Sequence, residues 1–290
     1  MRFSVVIPTR NSEKTLETTL ASLQQQTYSP HEIIVADGRS TDATRQIASR
    51  FNAFVVDNPA IHAAGGRNHG AVVASGDWLA FIDSDCWAPP DWLSTAARLI
   101  TENPDVIVLG GPLRALPSVN EIEQVAGDAL LKGVLQYPQE QQRIFTRSLR
   151  GAFIGASVFY RKDVFFVLGG FDERFANFGE DIDLFWRAVA TFPGRLMYEP
   201  QLYVSQHFPA TWSSLFRKWC QYGMASCYLQ HYHLGRWRID LTHYRRLGAA
   251  TYALVTQPDQ RRINLARLVQ IIGHLIGKYL GSVRLGVMNL

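Results

Sequence analysis

Residues 78–85 read WLAFIDSD, an apolar run that ends in Asp83, Ser84 and Asp85. An uninterrupted apolar run of this length predicts a strand that is buried on both faces, as in a parallel sheet. Two carboxylates at positions i and i+2 at the end of such a strand can bind a hard cation, and Mg²⁺ or Mn²⁺ would bridge them to phosphate oxygens. Taken alone, the pair fits a solvated turn equally well, so its meaning depends on the surrounding sequence.

Strand and helix patterns alternate along the chain around this stretch. Further strands are predicted over residues 3–7, 32–36, 53–56, 106–109, 156–160 and 195–198. Helices are predicted over residues 15–26, from about 42, and over 68–74, 92–101, 121–136, 163–168 and 181–191. This β-α alternation predicts an α/β fold with a mostly parallel central sheet flanked by helices, whose ligands bind beyond the carboxyl ends of the strands.

The charge of the chain is divided unevenly, although its formal net value is only +4. Residues 1–200 contain 18 Lys or Arg and 23 Asp or Glu, whereas residues 201–290 contain 11 and 2. The balances of −5 and +9 indicate two regions with different tasks. We therefore expect a domain at residues 1–210 and a basic helical extension at residues 211–290.

The last helix of the extension has an amphipathic pattern. Its aliphatic face contains Leu268, Ile271, Ile272, Leu275 and Ile276, and its polar face contains Arg267, Gln270, His274 and Lys278. Together with the dibasic steps Arg245-Arg246 and Arg261-Arg262, this face could meet an anionic membrane, or it could pack against the rest of the chain.

Several classes of protein are disfavoured by composition. Three cysteines are too few and too scattered for a disulfide framework or a zinc site, so a cytoplasmic location is expected. We see neither a signal peptide nor a membrane-spanning segment, and the basic residues form no pattern typical of nucleic-acid recognition.

Seven short motifs follow one another along the chain. They are residues 6–11 (VIPTRN), 20–26 (LASLQQQ), 32–44 (EIIVADGRSTDAT), 66–70 (GRNHG), 76–85 (GDWLAFIDSD), 169–173 (GGFDE) and 179–187 (GEDIDLFWR). In this order and at these spacings, they closely resemble the family 2 glycosyltransferases over roughly residues 3–210. The resemblance implies the nucleotide-diphospho-sugar transferase fold of GT-A type, which is Rossmann-like.

The resemblance also implies how a nucleotide-sugar donor is held. Pro8, Thr9 and Asn11 would line the nucleotide pocket, and Asp37 would accept a hydrogen bond from the base, with UDP as the expected nucleotide. Asp37 also fits the role of a capping residue at a turn. Arg67 could hold the diphosphate through its guanidinium, or it could form a surface ion pair.

A divalent cation, Mn²⁺ or Mg²⁺, is implied at the end of the strand at 78–82. Asp85 would ligate the metal directly, and Asp83 would contact the ribose or the metal through its water. His207, which follows a strand-like segment, could complete the metal site or could be a structural residue.

The catalytic residues implied by the resemblance are Asp181 and its neighbour Glu180, which open a helix after a glycine. Asp181 would be the general base that deprotonates the acceptor hydroxyl, so the reaction would be a single displacement with inversion. Asp183 and Arg187 are expected to form an ion pair on the surface of that helix.

The segment at residues 211–219 resembles only faintly the Gln-x-x-Arg-Trp acceptor motif of processive members. The leading glutamine is absent, so processive synthesis is not expected. Arg217 and Trp219 could still contact the diphosphate or the acceptor, and the pair Gly151 and Gly155 could belong to the acceptor-binding segment or to a simple turn.

The sequence therefore predicts an inverting, metal-dependent glycosyltransferase that acts on a hydroxyl-bearing acceptor: a glycan, a lipid-linked molecule or a small molecule. Polysaccharide, cell-wall and glycolipid synthesis are all open, and a peripheral location on the inner face of the membrane is a further expectation. One alternative is a catalytically degenerate scaffold that binds nucleotide sugars. A sugar nucleotidyltransferase is the other, although residues 8–12 (PTRNS) lack the glycine-rich basic loop that it needs.

Overall fold

The computed structural model describes residues 1–133, 142–143, 155–175, 178–234 and 242–286. The chain divides into two compact units. The first contains Met1–Arg114 and Leu135–Gln206, and the second contains Ala115–Val134 and His207–Leu290. The predicted boundary of a catalytic domain at residue 210 stays a prediction, because compactness alone does not show which residues take part in a reaction.

Strands and helices alternate through the first unit, as the sequence predicts. The strands are β1 (Phe3–Thr9), β2 (Glu32–Asp37), β3 (Phe54–Asp57), β4 (Trp78–Phe81), β5 (Cys86–Trp87), β6 (Val108–Gly110), β7 (Leu113–Ala115), β8 (Gln142–Arg143), β9 (Val158–Arg161), β10 (Leu196–Tyr198) and β11 (Val204–Gln206). The helices of both units are α1 (Leu16–Gln24), α2 (Thr44–Arg50), α3 (Ala63–Val73), α4 (Trp92–Glu102), α5 (Glu121–Gly133), α6 (Lys162–Val167), α7 (Glu180–Thr191), α8 (Trp212–Leu234), α9 (Thr242–Thr256) and α10 (Arg261–Leu285).

The large sheet has the strand order β3-β2-β1-β4-β9-β6-β10-β8. The pairs β2-β3, β1-β2, β1-β4 and β6-β10 are parallel, so the predicted α/β fold with a mostly parallel sheet is confirmed. The strand β9 lies antiparallel between β4 and β6. A small second sheet has the order β5-β11-β7.

Central strands of this sheet are mostly apolar because both of their faces are covered. Every residue of β1 and β4 is buried. Below the end of β4, the ring of Phe81 packs against Phe171 and Phe165, with centroids 5.2 and 5.3 Å away. This aromatic cluster packs against the carboxyl end of β4 and so supports the segment that contains Asp83.

Helix α3 begins five residues earlier than the sequence predicts. Its cap is His62, whose Nδ1 accepts a hydrogen bond from the Gly65 amide at 3.0 Å. Glycine is a poor helix former, so Gly65 and Gly66 conceal this start in the sequence. The earlier start places Arg67 inside the helix rather than before it.

Helices α8 and α10 of the second unit approach each other closely through glycines. A Cβ atom added to Gly277 would lie 1.8 Å from the backbone oxygen of Cys220, and one added to Gly223 would lie 2.1 Å from that of His274. The buried face of α10 therefore contains glycine and polar residues, such as Gln270. Ile272 and Ile276 of the predicted aliphatic face are exposed, which differs from the burial expected for an amphipathic helix. No helix in the described part of the chain is long and apolar enough to cross a membrane.

The close approach of α8 and α10 makes Gly277 sensitive to substitution. We expect Gly277→Ala to lower the free energy of unfolding by about 1–3 kcal/mol or more, because backbone rather than a flexible side chain must move. Urea denaturation measures the change. The matched control is Gly248→Ala in α9, which has no atom within 4 Å of the new Cβ. It should raise stability by about 0.5–1 kcal/mol, and equal effects of the two variants would contradict the packing.

Candidate active site

A buried arginine joins two of the predicted motifs in the first unit. Nη2 of Arg67 donates to Oδ1 of Asp83 at 2.6 Å, and its Nη1 donates to Oε1 of Glu180 at 2.8 Å. Only 4% of the Arg67 side chain is exposed. The guanidinium therefore links α3, the end of β4 and α7, and its predicted role in holding the diphosphate stays a prediction.

Two neighbours shape the space around this guanidinium. The ring of Phe171 lies beneath it, with the Arg67 Cζ 5.3 Å from the ring centroid, a distance at which a cation and an aromatic ring attract. On another side is Gly155, where an added Cβ would lie 2.9 Å from Nη2. A side chain at position 155 would therefore displace the guanidinium from its partners.

The cluster is completed by Asp181, which shares the first turn of α7 with Glu180. Its Oδ2 accepts a hydrogen bond from the Gly155 amide at 3.0 Å, and its Oδ1 accepts one from the Ile182 amide at 2.8 Å. Gly179, with φ at +94°, turns the chain into the helix. Its left-handed conformation suits glycine, and the helix N-terminus favours carboxylates at these positions.

Burial dominates the electrostatics of the cluster. Burial raises the pKa of Glu180, and the nearby charge of Asp181 raises it further, while Arg67 opposes the shift. Burial also raises the pKa of Asp181 against the hydrogen bond from Gly155. Burial works against the charge of Arg67, but Asp83 and Glu180 raise the pKa of its guanidinium, which stays a cation. Among the described residues, Oε2 of Glu180 has no hydrogen-bond partner.

Asp183 and Arg187 pair as predicted, at 2.5 Å, but they do not form a surface pair. Asp183 is only 4% exposed. Arg187 also donates to the backbone oxygens of Leu168 and Gly170. The pair therefore attaches α7 to the turn that precedes Phe171, because the helix lies against the core there.

The residues predicted to bind the nucleotide lie at the carboxyl ends of β1 and β2. Thr9 is the register partner of Asp37, and the Thr9 hydroxyl lies 3.5 Å from Oδ1 of Asp37. The Asp37 side chain has no exposed surface, and its Oδ2 accepts from the Ser40 amide and from Arg45, both at 3.2 Å. Among the described residues, this 3.5 Å contact is the one hydrogen bond of Oδ1.

Pro8 and Asn11 flank Thr9 along the chain. Pro8 is buried, and its Cβ lies 3.0 Å from where a Cβ of Gly66 would be. Asn11 has a φ of +51° and accepts a hydrogen bond from the Thr41 amide at 2.9 Å, which fastens the loop after β1 to the loop after β2. Pro8 and Asn11 therefore help to fix the loops near Asp37.

Sequence reasoning did not find the role of Arg45. Its Nη1 lies 3.2 Å from Asp37 and 2.8 Å from Asp57, so it bridges the ends of β2 and β3. No spacing rule pairs an arginine in α2 with the last residue of β3, and only the sheet order brings Asp37 and Asp57 together.

Asp83 and Asp85 supply carboxylates at the end of β4. Asp85 is exposed, and the hydroxyl of Ser84 between them lies 2.9 Å from that of Ser12. Within the described ranges, no group of three or more His, Cys, Asp or Glu side chains could hold a metal ion. Two carboxylates nevertheless fit Mg²⁺-type coordination, which commonly uses one or two carboxylates and takes its other ligands from phosphates and water.

The remaining predicted residues lie in the second unit. Nδ1 of His207 is 2.7 Å from Oε1 of Glu123, a buried carboxylate that also accepts from the amides of Phe208 and Val119. Arg217 is exposed, and the ring of Trp219 lies between those of Tyr222 and His274. Their predicted roles stay predictions, and Gly151 lies outside the described residues.

Comparison with known proteins identifies the family. The family model described as "Glycosyl transferase family 2" matches residues 4–167. One curated relative, a glucosyl-dolichyl phosphate glucuronosyltransferase from Haloferax volcanii, is 28% identical over 62% of this chain. The match spans 59% of that relative's own length.

Two solved structures are similar in fold. A mannosyltransferase from Pyrobaculum calidifontis, in complex with GDP-Man and Mn²⁺, has a TM-score of 0.65 at 16% identity, over 94% of this chain and 87% of its own. Glucosyl-3-phosphoglycerate synthase from Mycobacterium tuberculosis, in complex with Mn²⁺, UDP-Glc and phosphoglyceric acid, has a TM-score of 0.56 at 19% identity, over 79% of this chain and 78% of its own.

The buried ion pairs predict that Arg67 contributes strongly to the free energy of unfolding. We expect Arg67→Ala to lower the free energy of unfolding by about 3–5 kcal/mol, since it leaves buried carboxylates without a counter-charge. The control is Arg98→Ala, which breaks an exposed pair with Glu102 and should cost about 1 kcal/mol or less. Similar losses for both variants in urea denaturation would show that the ion pairs of Arg67 contribute no more to stability than an exposed pair does.

Proposed function

Because the chain belongs to glycosyl transferase family 2, we propose that it transfers a sugar from a nucleotide-diphosphate donor to an acceptor hydroxyl, with inversion at the anomeric carbon. The observation that carries this proposal is the buried cluster of Arg67, Asp83, Glu180 and Asp181. It brings a candidate base and a candidate metal-binding carboxylate together from segments about a hundred residues apart in sequence.

Asp181 is the proposed general base. Its carboxylate takes the proton of the acceptor hydroxyl while that oxygen forms a bond to the anomeric carbon of the sugar. The bond between that carbon and the diphosphate oxygen breaks, and the nucleoside diphosphate leaves with the electron pair. Burial raises the pKa of Asp181, which increases the proton affinity of the base and supports this role.

Glu180 and Arg67 are proposed to position that base. Glu180 is almost fully buried, so it does not present its carboxylate to an acceptor as readily as the partly exposed Asp181 does. Arg67 compensates its charge and holds Asp83 at the same time, so we propose that Arg67 sets the geometry of the site in addition to its predicted contact with the diphosphate.

The donor is proposed to be a UDP-sugar. An ionised carboxylate only accepts hydrogen bonds, so a base that reads Asp37 must present an N–H group, as uracil does at N3. Pro8, Thr9 and Asn11 are proposed to line the same pocket. The structure of the Mycobacterium tuberculosis enzyme with UDP-Glc supports this choice, whereas that of the Pyrobaculum calidifontis enzyme with GDP-Man leaves a guanine nucleotide as the outcome to test.

We propose that Asp85 and Asp83 hold a divalent cation, Mn²⁺ or Mg²⁺. A cation bound there neutralises the negative charge that develops on the leaving diphosphate. The Mn²⁺ in both solved relatives supports this assignment. We also propose His207 as a further metal ligand. Arg217 and Trp219 are proposed as contacts for the diphosphate or the acceptor.

The acceptor is proposed to be a hydroxyl of a growing glycan or glycolipid in polysaccharide or cell-wall synthesis. The name of the Haloferax volcanii relative includes a dolichyl phosphate, so a lipid-linked acceptor is favoured. An enzyme with such an acceptor would work at a membrane surface, which agrees with the basic extension predicted from the sequence.

Two substitutions separate the base from the metal site. Asp181→Asn should lower transfer about 10²–10⁴-fold, because it removes a general base, while Mn²⁺-dependent binding of UDP stays unchanged. Asp85→Ala should abolish transfer and weaken that binding as well. Turnover is measured as release of nucleoside diphosphate from a panel of UDP- and GDP-sugars, and binding is measured by calorimetry.

The control is Asp77→Asn, which removes an exposed carboxylate paired with Arg2 and should leave both measurements unchanged. Near-normal turnover of Asp181→Asn would remove Asp181 from the role of base. A wild-type chain that binds donor and metal but never releases nucleoside diphosphate would favour the degenerate scaffold.

The raised carboxyl pKa values predict a pH dependence of transfer. Asp181 must be deprotonated to act as a base, so kcat/KM should rise with pH along a limb displaced above the ordinary range of about 4 for aspartate. The measurement is the pH profile of kcat/KM at saturating Mn²⁺, with UDP affinity recorded at each pH. A limb near pH 4, or one that follows UDP affinity, would contradict the assignment.

A further inference from the structure

The exposed side of α10 is more apolar than its buried side. The buried residues include Gln270, Gly273 and Gly277, which let α10 approach α8. The large apolar residues that this packing leaves exposed are Leu265, Ile272, Ile276, Tyr279, Leu280 and Val283, and 37–56% of the surface of each is exposed. We refer to these six residues as the α10 stripe.

The spacing of the α10 stripe makes it one continuous surface. From Leu265 to Ile272, Ile276, Tyr279 and Val283, the steps are seven, four, three and four residues. These steps keep side chains on one face of a helix, within an arc of about 100°. Soluble monomers rarely leave a contiguous apolar surface of this kind without a partner.

Positive charge lies beside the α10 stripe. Arg261 and Arg262 are exposed at the start of the helix, and Arg284 is exposed near its end. Residues 261–285 contain no Asp or Glu. An apolar helix face bordered by arginines matches the interface of a membrane with anionic lipids, where aliphatic groups enter the acyl region and guanidinium groups meet phosphates.

The same charges argue against a second copy of the chain on this face. A two-fold dimer through α10 would bring Arg261, Arg262 and Arg284 of one copy close to the arginines of the other. Like charges brought together in this way are repulsive. An anionic lipid surface complements both the apolar and the charged residues.

We propose that α10 lies in the plane of an anionic membrane, with the α10 stripe inserted and Arg261, Arg262 and Arg284 at the lipid phosphates. This inference deepens the proposed function by naming the surface that brings the enzyme to a lipid-linked acceptor, and in that respect it rests on the proposed function. It involves no helix that spans the bilayer.

Vesicle co-sedimentation of the full chain tests the proposal. Binding to vesicles of 70% phosphatidylcholine and 30% phosphatidylglycerol should exceed binding to pure phosphatidylcholine, and salt should weaken it. The double variant Ile272→Ser/Ile276→Ser should weaken partitioning by about tenfold or more. Arg261→Gln/Arg262→Gln should weaken it by about thirtyfold, at roughly one kcal/mol for each arginine.

Matched controls come from the first unit. Val72→Ser removes an apolar residue that is 68% exposed, and Arg98→Gln removes an exposed arginine. Both should leave vesicle binding unchanged. Equal losses from these controls and from the α10 variants would overturn the proposal, as would equal binding to neutral and anionic vesicles.

Hydrogen exchange on the unmodified chain keeps the proposal testable even if a variant fails to fold. Anionic vesicles should slow exchange within residues 265–283, and an unchanged exchange rate there would overturn the insertion of α10. A concentration-dependent dimer that the Ile272→Ser/Ile276→Ser variant abolishes would assign the stripe to a second copy instead.

These assays contain neither donor nor acceptor, so they are independent of catalysis. Vesicle binding without any release of nucleoside diphosphate would refute the proposed function and leave the membrane surface in place. Release of nucleoside diphosphate without vesicle binding would refute the membrane surface and leave the proposed function in place.

Discussion

One buried guanidinium joins three elements of the first unit. Asp83, Glu180 and Asp181 come from two segments, and their negative charges would repel one another in a site with little water. Arg67 contacts Asp83 and Glu180 directly and lies near Asp181, and its own burial is tolerated only because these carboxylates surround it. Arg67 therefore joins α3, the end of β4 and α7 through direct ion pairs.

The neighbouring residues of the site leave space for the Arg67 side chain. Phe171 supports the guanidinium from below, and Gly155 leaves the space that any Cβ would take. The amide of the same glycine donates to Asp181, so one backbone position both admits the arginine and orients the candidate base. Burial of the cluster also raises the pKa values of Glu180 and Asp181, and a raised pKa suits a base that deprotonates a hydroxyl.

In the second unit, the close approach of two helices decides which residues are exposed. Glycines at 223 and 277 bring α8 and α10 so close that backbone meets backbone, and this contact decides which side of α10 is covered. Aliphatic residues such as Ile272 and Ile276 are then left on the surface. We propose that a lipid surface covers them.

The sequence by itself determined the α/β class, the ordered motifs, the family and the residue types of the site, because these depend on local periodicity and on short stretches such as residues 78–85. Only the tertiary structure decided that Arg67 meets Glu180, 113 residues away, that α3 starts at its His62 cap, and that α10 buries glycine instead of isoleucine. The physical reason is that local patterns report propensity, whereas the pairing of a buried charge and the closest approach of two helices are settled by partners distant in sequence.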